Sequence, residues 1–129
     1  MKTLIVDDYR TMRRIIRNLL MQLGYNDVED VGDGAAALAL MRADKFDLVI
    51  CDWNMEPMSG LELLKQIRSD AKLKSTPFIM VLAENKQANV TAAKEAGINE
   101  YIIKPFNAES LLSKIRASVW YPSSRQDRP

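Results

Sequence analysis

Five short apolar runs, each followed by a longer stretch with helical spacing, constrain this chain more than any other feature. The runs are Thr3 to Val6, Asp27 to Val31, Asp47 to Cys51, Pro77 to Leu82 and Glu100 to Ile103. They are too short for helices and read as strands of a covered parallel sheet, with Asp47 to Cys51 the clearest central strand and Asp27 to Val31, which carries three acids, a weak one. Between the first two, Met12, Ile15, Ile16, Leu19, Leu20 and Leu23 recur at helical spacing, and Gly24 ends that helix. Further helices are expected at Gly34 to Met41, at Ser59 to Ile67 with Leu61, Leu64 and Ile67 on one face, and at Lys86 to Ala96. Ser59 with Glu62 has capping-box spacing. Asn107 caps a last helix with Leu111, Leu112, Ile115 and Val119 inward. Five strand-then-helix repeats define an α/β fold with helices on both faces of a parallel sheet.

A chain of 129 residues is one domain's worth and needs no staples to bury a core. The single cysteine, Cys51, excludes an internal disulfide, and its place at the end of an apolar run predicts a buried thiol in a reducing compartment. With no histidine, His-based catalysis and most zinc sites are excluded. A net charge of +1 gives no global field for nucleic acid, so DNA is not an expected partner. No apolar run spans a bilayer and the N-terminus reads straight into a strand, so neither membrane insertion nor a leader is expected, and the cytoplasm is the expected location. Arg10, Arg13, Arg14 and Arg17 sit opposite the apolar stripe of the first helix and read as a solvated face. Residues 120–129, with two prolines and two serines, read as an exposed tail after a domain spanning 1–119.

Parallel α/β sheets bind ligands beyond the carboxyl ends of their strands. There this chain has Asp7-Asp8, Asp52, Leu82-Ala83-Glu84 and Lys104-Pro105. Clustered carboxylates resist ionising together. A hard cation removes that cost, and Mg²⁺ favours one or two carboxylates with waters and phosphate oxygens. Asp52 then becomes a nucleophile toward a phosphoryl donor, with Lys104 screening the phosphoryl oxygens. Each residue taken singly has a plainer reading: Asp8 as a helix cap, Asp52 as a turn residue, Lys104 as a solvated side chain. It is their joint placement at separate strand ends that favours the site.

Those residues carry a resemblance. Val6-Asp7-Asp8 with Thr11-Met12-Arg13-Arg14, Asp52-Trp53-Asn54-Met55 with Gly60-Leu61-Glu62-Leu63-Leu64, Ala96-Gly97 and Lys104-Pro105-Phe106 resemble a response-regulator receiver domain, and within that family the single-domain CheY-type chemotaxis regulators. The resemblance implies a doubly wound, flavodoxin-like (βα)5 fold with strand order 2-1-3-4-5. It implies phosphorylation on Asp52, and Mg²⁺ held by Asp7, Asp8, Asp52 and the Asn54 carbonyl. Lys104 and Ala83 would contact the phosphoryl group, with Lys104-Pro105 cis. Asn54 and Glu84 would tune dephosphorylation, and Leu82 and Tyr101 would occupy the switch positions. The implied partners are a histidine kinase as phosphodonor and a flagellar motor switch or other signalling protein on the 86–119 face. A stand-alone phosphoacceptor is expected, not an enzyme and not a DNA-binding regulator. A haloacid-type phosphatase is disfavoured, because Asp52-Trp53-Asn54 does not match that family's DxDx[TV] motif and no cap domain is visible.

The chain departs from the family pattern in three places. Leu82 stands where the family has Thr or Ser, removing a hydroxyl donor to the phosphoryl group and weakening the path to Tyr101. Glu56-Pro57 sets the proline one residue later than is common and adds a negative charge. Trp120, Tyr121, Arg125, Asp127 and Arg128 combine aromatic rings, guanidinium groups and a carboxylate able to read guanine, which makes cyclic di-GMP an alternative ligand.

Overall fold

The computed structural model describes residues 1–120, with the side chain of Trp120 left aside. The elements run β1 (Thr3–Val6), α1 (Arg10–Gln22), β2 (Val28–Val31), α2 (Gly34–Ala43), β3 (Leu48–Asp52), α3 (Gly60–Ser69), β4 (Phe78–Leu82), α4 (Gln87–Ala96), β5 (Glu100–Ile103) and α5 (Ala108–Ile115), closing with a π-helical turn over Arg116–Trp120. All four strand pairings are parallel and the order is β2-β1-β3-β4-β5, as expected.

Alternation along the strands divides the core. Leu4, Val6, Val49, Cys51, Phe78, Met80 and Leu82 pack with α2, α3 and α4, while Ile5, Leu48, Ile50, Ile79, Val81 and Ile102 pack with α1 and α5. Successive strand side chains point to opposite faces, so strands covered on both sides must be apolar throughout. Cys51 is fully buried, and burial pushes its thiol pKa well up, which keeps it protonated and inert.

Local signals work as the sequence predicts at α3, where the Ser59 Oγ accepts from the Glu62 amide (3.1 Å) and Glu62 returns the bond to the Ser59 amide (3.0 Å). Asn107 caps α5 through the Ser110 amide. Gly97, at φ 100°, ends α4 in the left-handed conformation that favours glycine. Three periodicity readings need correction, the first being Leu112 of α5, expected inward but only half-buried beside fully covered Leu111 and Ile115. On α3 the buried residue is Leu63, with Leu61 only half-buried, because the helix packs on the sheet through Gly60, Leu63, Leu64 and Ile67. On α1 Ile15 is 45% exposed, and only Ile16 and Leu20 are fully covered.

The arginine face also differs from a solvated one. Asp30 of β2 takes Arg13 Nε at 2.7 Å and Arg17 Nη2 at 2.5 Å, so these two guanidiniums are ion-paired. β2 lies beside β1, which brings its acidic residue under α1. Arg10 and Arg14 remain exposed.

Candidate functional site

The carboxyl edge of the sheet gathers Asp7, Asp8 and Asp52. Each offers a carboxylate oxygen, and these lie within 4.8 Å of one another. Asp52 is the last residue of β3 and is 4% exposed; Asp7 follows β1 and is 1% exposed. Asp8 is exposed and does not cap α1: the N-cap is Tyr9, and no side chain bonds the helix start. The plainer reading of Asp8 therefore fails. So does that of Asp52, which is a strand residue rather than a turn residue.

Burial raises the pKa of Asp7 to about 6, against a bond from the Tyr9 amide to Oδ1 (2.8 Å) and with repulsion from Asp52. Burial likewise raises Asp52, opposed by Lys104. Lys104 Nζ stands 3.1 Å from Asp52 Oδ1, close enough to pair yet off the direction of a hydrogen bond. Among the described residues, Asp7 Oδ2 and Asp52 Oδ1 are buried side-chain oxygens without a hydrogen-bond partner, Asp52 Oδ1 having only its ion pair with Lys104. Buried polar atoms are nearly always partnered, so two orphans in one acidic cluster mark a position for a cation. Oxygen donors only, with waters to complete the shell, suit Mg²⁺ rather than a soft metal.

The backbone holds this geometry tightly. Asp52 can approach α3 only because residue 60 is glycine: a Cβ there would lie 2.2 Å from the Asp52 carbonyl oxygen. The Gly60 amide bonds the Trp53 carbonyl, and the Trp53 amide bonds Val81 of β4. Asn54 lies in an open cleft of about 280 Å³ with Asp8, Trp53, Met55, Glu56 and Ser59. Glu56 is thus at the site's rim, and both Glu56-Pro57 and Lys104-Pro105 are cis.

Ala83 and Glu84 are exposed just beyond β4, and Glu84 pairs with Lys86 at 3.0 Å. Leu82 is 1% exposed and belongs to the core cluster on the α3–α4 face, with its carbonyl accepting from the Lys104 amide. Tyr101 packs against that cluster from β5 and is half-buried, its ring flanked by Lys114 (5.1 Å) and Lys94 (6.0 Å). Lys114 is itself paired with Glu100 at 3.0 Å. The cyclic di-GMP alternative rests on Tyr121, Arg125, Asp127, Arg128 and the Trp120 side chain, all outside the described residues.

Sequence reading did not find the support behind Asp7. Arg13 Nη1 donates to the Asp7 carbonyl at 2.7 Å while Nε holds Asp30. The available signal was two arginines one turn apart facing an acidic residue on the neighbouring strand.

This arrangement defines a class: an acidic, cation-ready pocket with a buried carboxylate and a lysine at the carboxyl edge of a doubly wound sheet. Residues 3–116 match the response regulator receiver domain family, and the chain belongs to it. It is 49% identical over 115 residues to the chemotaxis protein CheY-3 of Vibrio cholerae (89% of this chain, 88% of that one). It is 47% identical over 115 residues to the chemotaxis protein CheY of Pseudomonas aeruginosa (89% and 93%). Among solved structures, CheY4 of Vibrio cholerae superposes with a TM-score of 0.84 at 35% identity (91% and 97% covered). A CheY-like receiver protein of Methanospirillum hungatei superposes at 0.85 and 28% identity (96% and 97%). The chain is a CheY-like response-regulator receiver domain of two-component, chemotaxis-type signalling.

Proposed function

We propose that Asp52 accepts a phosphoryl group from a histidine kinase in a Mg²⁺-dependent step, and that the 86–119 face then docks a signalling partner such as the flagellar motor switch. The observation carrying this reading is the pair of orphaned carboxylate oxygens beside Lys104. Asp7, Asp8, Asp52 and the Asn54 carbonyl would hold Mg²⁺. The ion supplies charge neutralisation at the phosphoryl oxygens.

The chain's own residues do the rest. A carboxylate oxygen of Asp52 attacks phosphorus, forming the acyl phosphate as the bond to the donor breaks. Lys104 offers its ammonium to the phosphoryl oxygens, and Ala83 lies at the phosphoryl side. Asn54 and Glu84 flank the path of the water that later hydrolyses the acyl phosphate. In this reading the domain spans 1–119 with 120–129 as a tail, it works in the cytoplasm, and it is a phosphoacceptor rather than a turnover enzyme.

Leu82 sets the strength of the output. A hydrogen bond to a charged group contributes roughly 1.5–3 kcal/mol, and leucine cannot make it. That is the size of many allosteric couplings, so phosphorylation moves Tyr101 and the output face weakly. Tyr101 already has two lysines at its ring, which favours the position it occupies.

Incubation with acetyl phosphate and Mg²⁺ is expected to add one phosphoryl mass to the wild-type chain and none to Asp52→Asn. An unmodified wild type would end the proposal. Amide spectra of the 86–119 face with and without a phosphoryl mimic are expected to differ little; a full rearrangement would remove the Leu82 argument alone.

A further inference from the structure

The loop bearing Asp7 and Asp8 has little to hold it. No side chain caps the start of α1, and its first turn has no acidic residue. The Asp7 amide bonds Val31 of β2, and its Oδ1 accepts from Tyr9. The remaining anchor is Arg13, whose Nη1 donates to the Asp7 carbonyl while its Nε is fixed by Asp30. Asp30 is itself fixed from a second side by Arg17, which also donates to the Val28 carbonyl at 3.0 Å. The Arg13 side chain is 19% exposed and that of Asp30 28%, so water screens the pair only partly. Burial works to raise the Asp30 pKa, but the bonds from Arg17 and Arg13 outweigh it and hold the carboxyl below its ordinary range. The pair therefore stays ionised.

We infer that Arg13, oriented by Asp30, is a positioning residue for the cation: it fixes the Asp7 backbone so that the Asp7 and Asp8 carboxylates face Asp52. This rests on reading the acidic cluster as a Mg²⁺ site. Outer partners that orient metal ligands commonly contribute about 10- to 100-fold in metal affinity. Arg17 shares Asp30 but makes no bond to Asp7, so it supports the same α1–β2 junction without reaching the pocket.

Charge and position predict opposite signs. Removing the Arg13 cation beside three carboxylates would, by Coulomb's law alone, tighten binding of a divalent cation. Loss of positioning loosens it. MgCl₂ titration of the full chain, followed by amide shifts around Asp52 and Trp53, separates the two. Arg13→Gln is expected to weaken Mg²⁺ binding about tenfold. Arg17→Gln is expected to stay within about twofold of wild type, although both variants lower the urea midpoint. Arg13→Lys keeps the charge but cannot hold Asp30 and the Asp7 carbonyl together, so it too binds more weakly, and it serves if Arg13→Gln does not fold. Wild-type or tighter affinity in the Arg13 variants would overturn the inference while leaving the Mg²⁺ site standing. A wild-type chain that does not respond to MgCl₂ would overturn both.

Discussion

The two ends of the sheet carry similar residue types and treat them oppositely. At the amino edge an open cleft of about 680 Å³ is lined by Arg42, Asp44, Lys45, Asp47 and Lys72 beside Phe46 and Leu73. Much of its charge is paired: Lys2 Nζ holds Asp44 and Glu29, the Lys2 amide donates to Asp47 at 2.7 Å, and Arg42 meets Asp70. At the carboxyl edge the space is smaller, yet among the described residues two carboxylate oxygens are buried without a hydrogen bond, one of them meeting only the Lys104 ammonium. Size does not mark the functional end here. Buried carboxylates in excess of cations set the carboxyl edge apart: Asp7 and Asp52 are both desolvated beside exposed Asp8, and Lys104 is the cation that meets them.

That contrast can be broken experimentally. The largest effect is expected at Gly60. An added methyl meets the Asp52 carbonyl carbon and oxygen and the Met80 sulfur, so Gly60→Ala should destabilise by about 3 kcal/mol and displace Asp52. Urea unfolding together with acetyl-phosphate labelling would check both. Next, Leu82→Thr should lose about 2 kcal/mol of stability, since it removes buried apolar volume and introduces a hydroxyl. The same change should enlarge the response of the 86–119 amides to a phosphoryl mimic.

Asp7→Asn and Asp47→Ala should move stability in opposite directions without metal. The first relieves a buried, repelled carboxylate and gains on the order of 2 kcal/mol; the second loses a paired acceptor and costs about 1 kcal/mol. Urea midpoints in chelator would settle the signs.

The pH dependence is the smallest and most specific effect. Asp7 has a folded pKa of about 6 against an ordinary 3.8, so the folded state takes up a proton in that window that the unfolded state does not. Its penalty is absent below the ordinary value and fully present once pH rises through about 6. Asp52 is shifted in the same direction. Asp30 runs the other way: its stabilisation is present above its ordinary pKa of 3.8 and is lost as pH falls below that. Without metal, the urea midpoint should therefore fall as pH rises from about 4 to about 6. With excess Mg²⁺ the slope should flatten or reverse, because the metal takes the deprotonated form. An unchanged slope in Asp7→Asn would assign the effect to Asp52 instead.

Much of this was legible in the chain itself. The inner strands β1, β3 and β4 are apolar enough to require cover on both faces, and the helix signals at Ser59, Gly97 and Asn107 act within a few residues, so their outcome depends little on distant contacts. The acids and the lysine follow from their position after strands, because a parallel sheet sends every carboxyl end to one edge. Spacing did not decide which residue of a helix faces inward when apolar residues are adjacent: Leu63 is buried where Leu61 was expected, and Ile15 is largely uncovered. Nor did it show that Asp30 takes Arg13 and Arg17 from what reads as a solvated face.

The sequence by itself determined the order of elements, the acidic edge and the family, since these rest on local periodicity and on residues at strand ends. Only the tertiary structure decided which carboxylate oxygens are left without partners, that Gly60 must be bare for Asp52 to approach α3, and that a salt bridge from β2 braces the Asp7 loop. Those are meetings between segments far apart in the chain, and their distances are set by packing rather than by spacing.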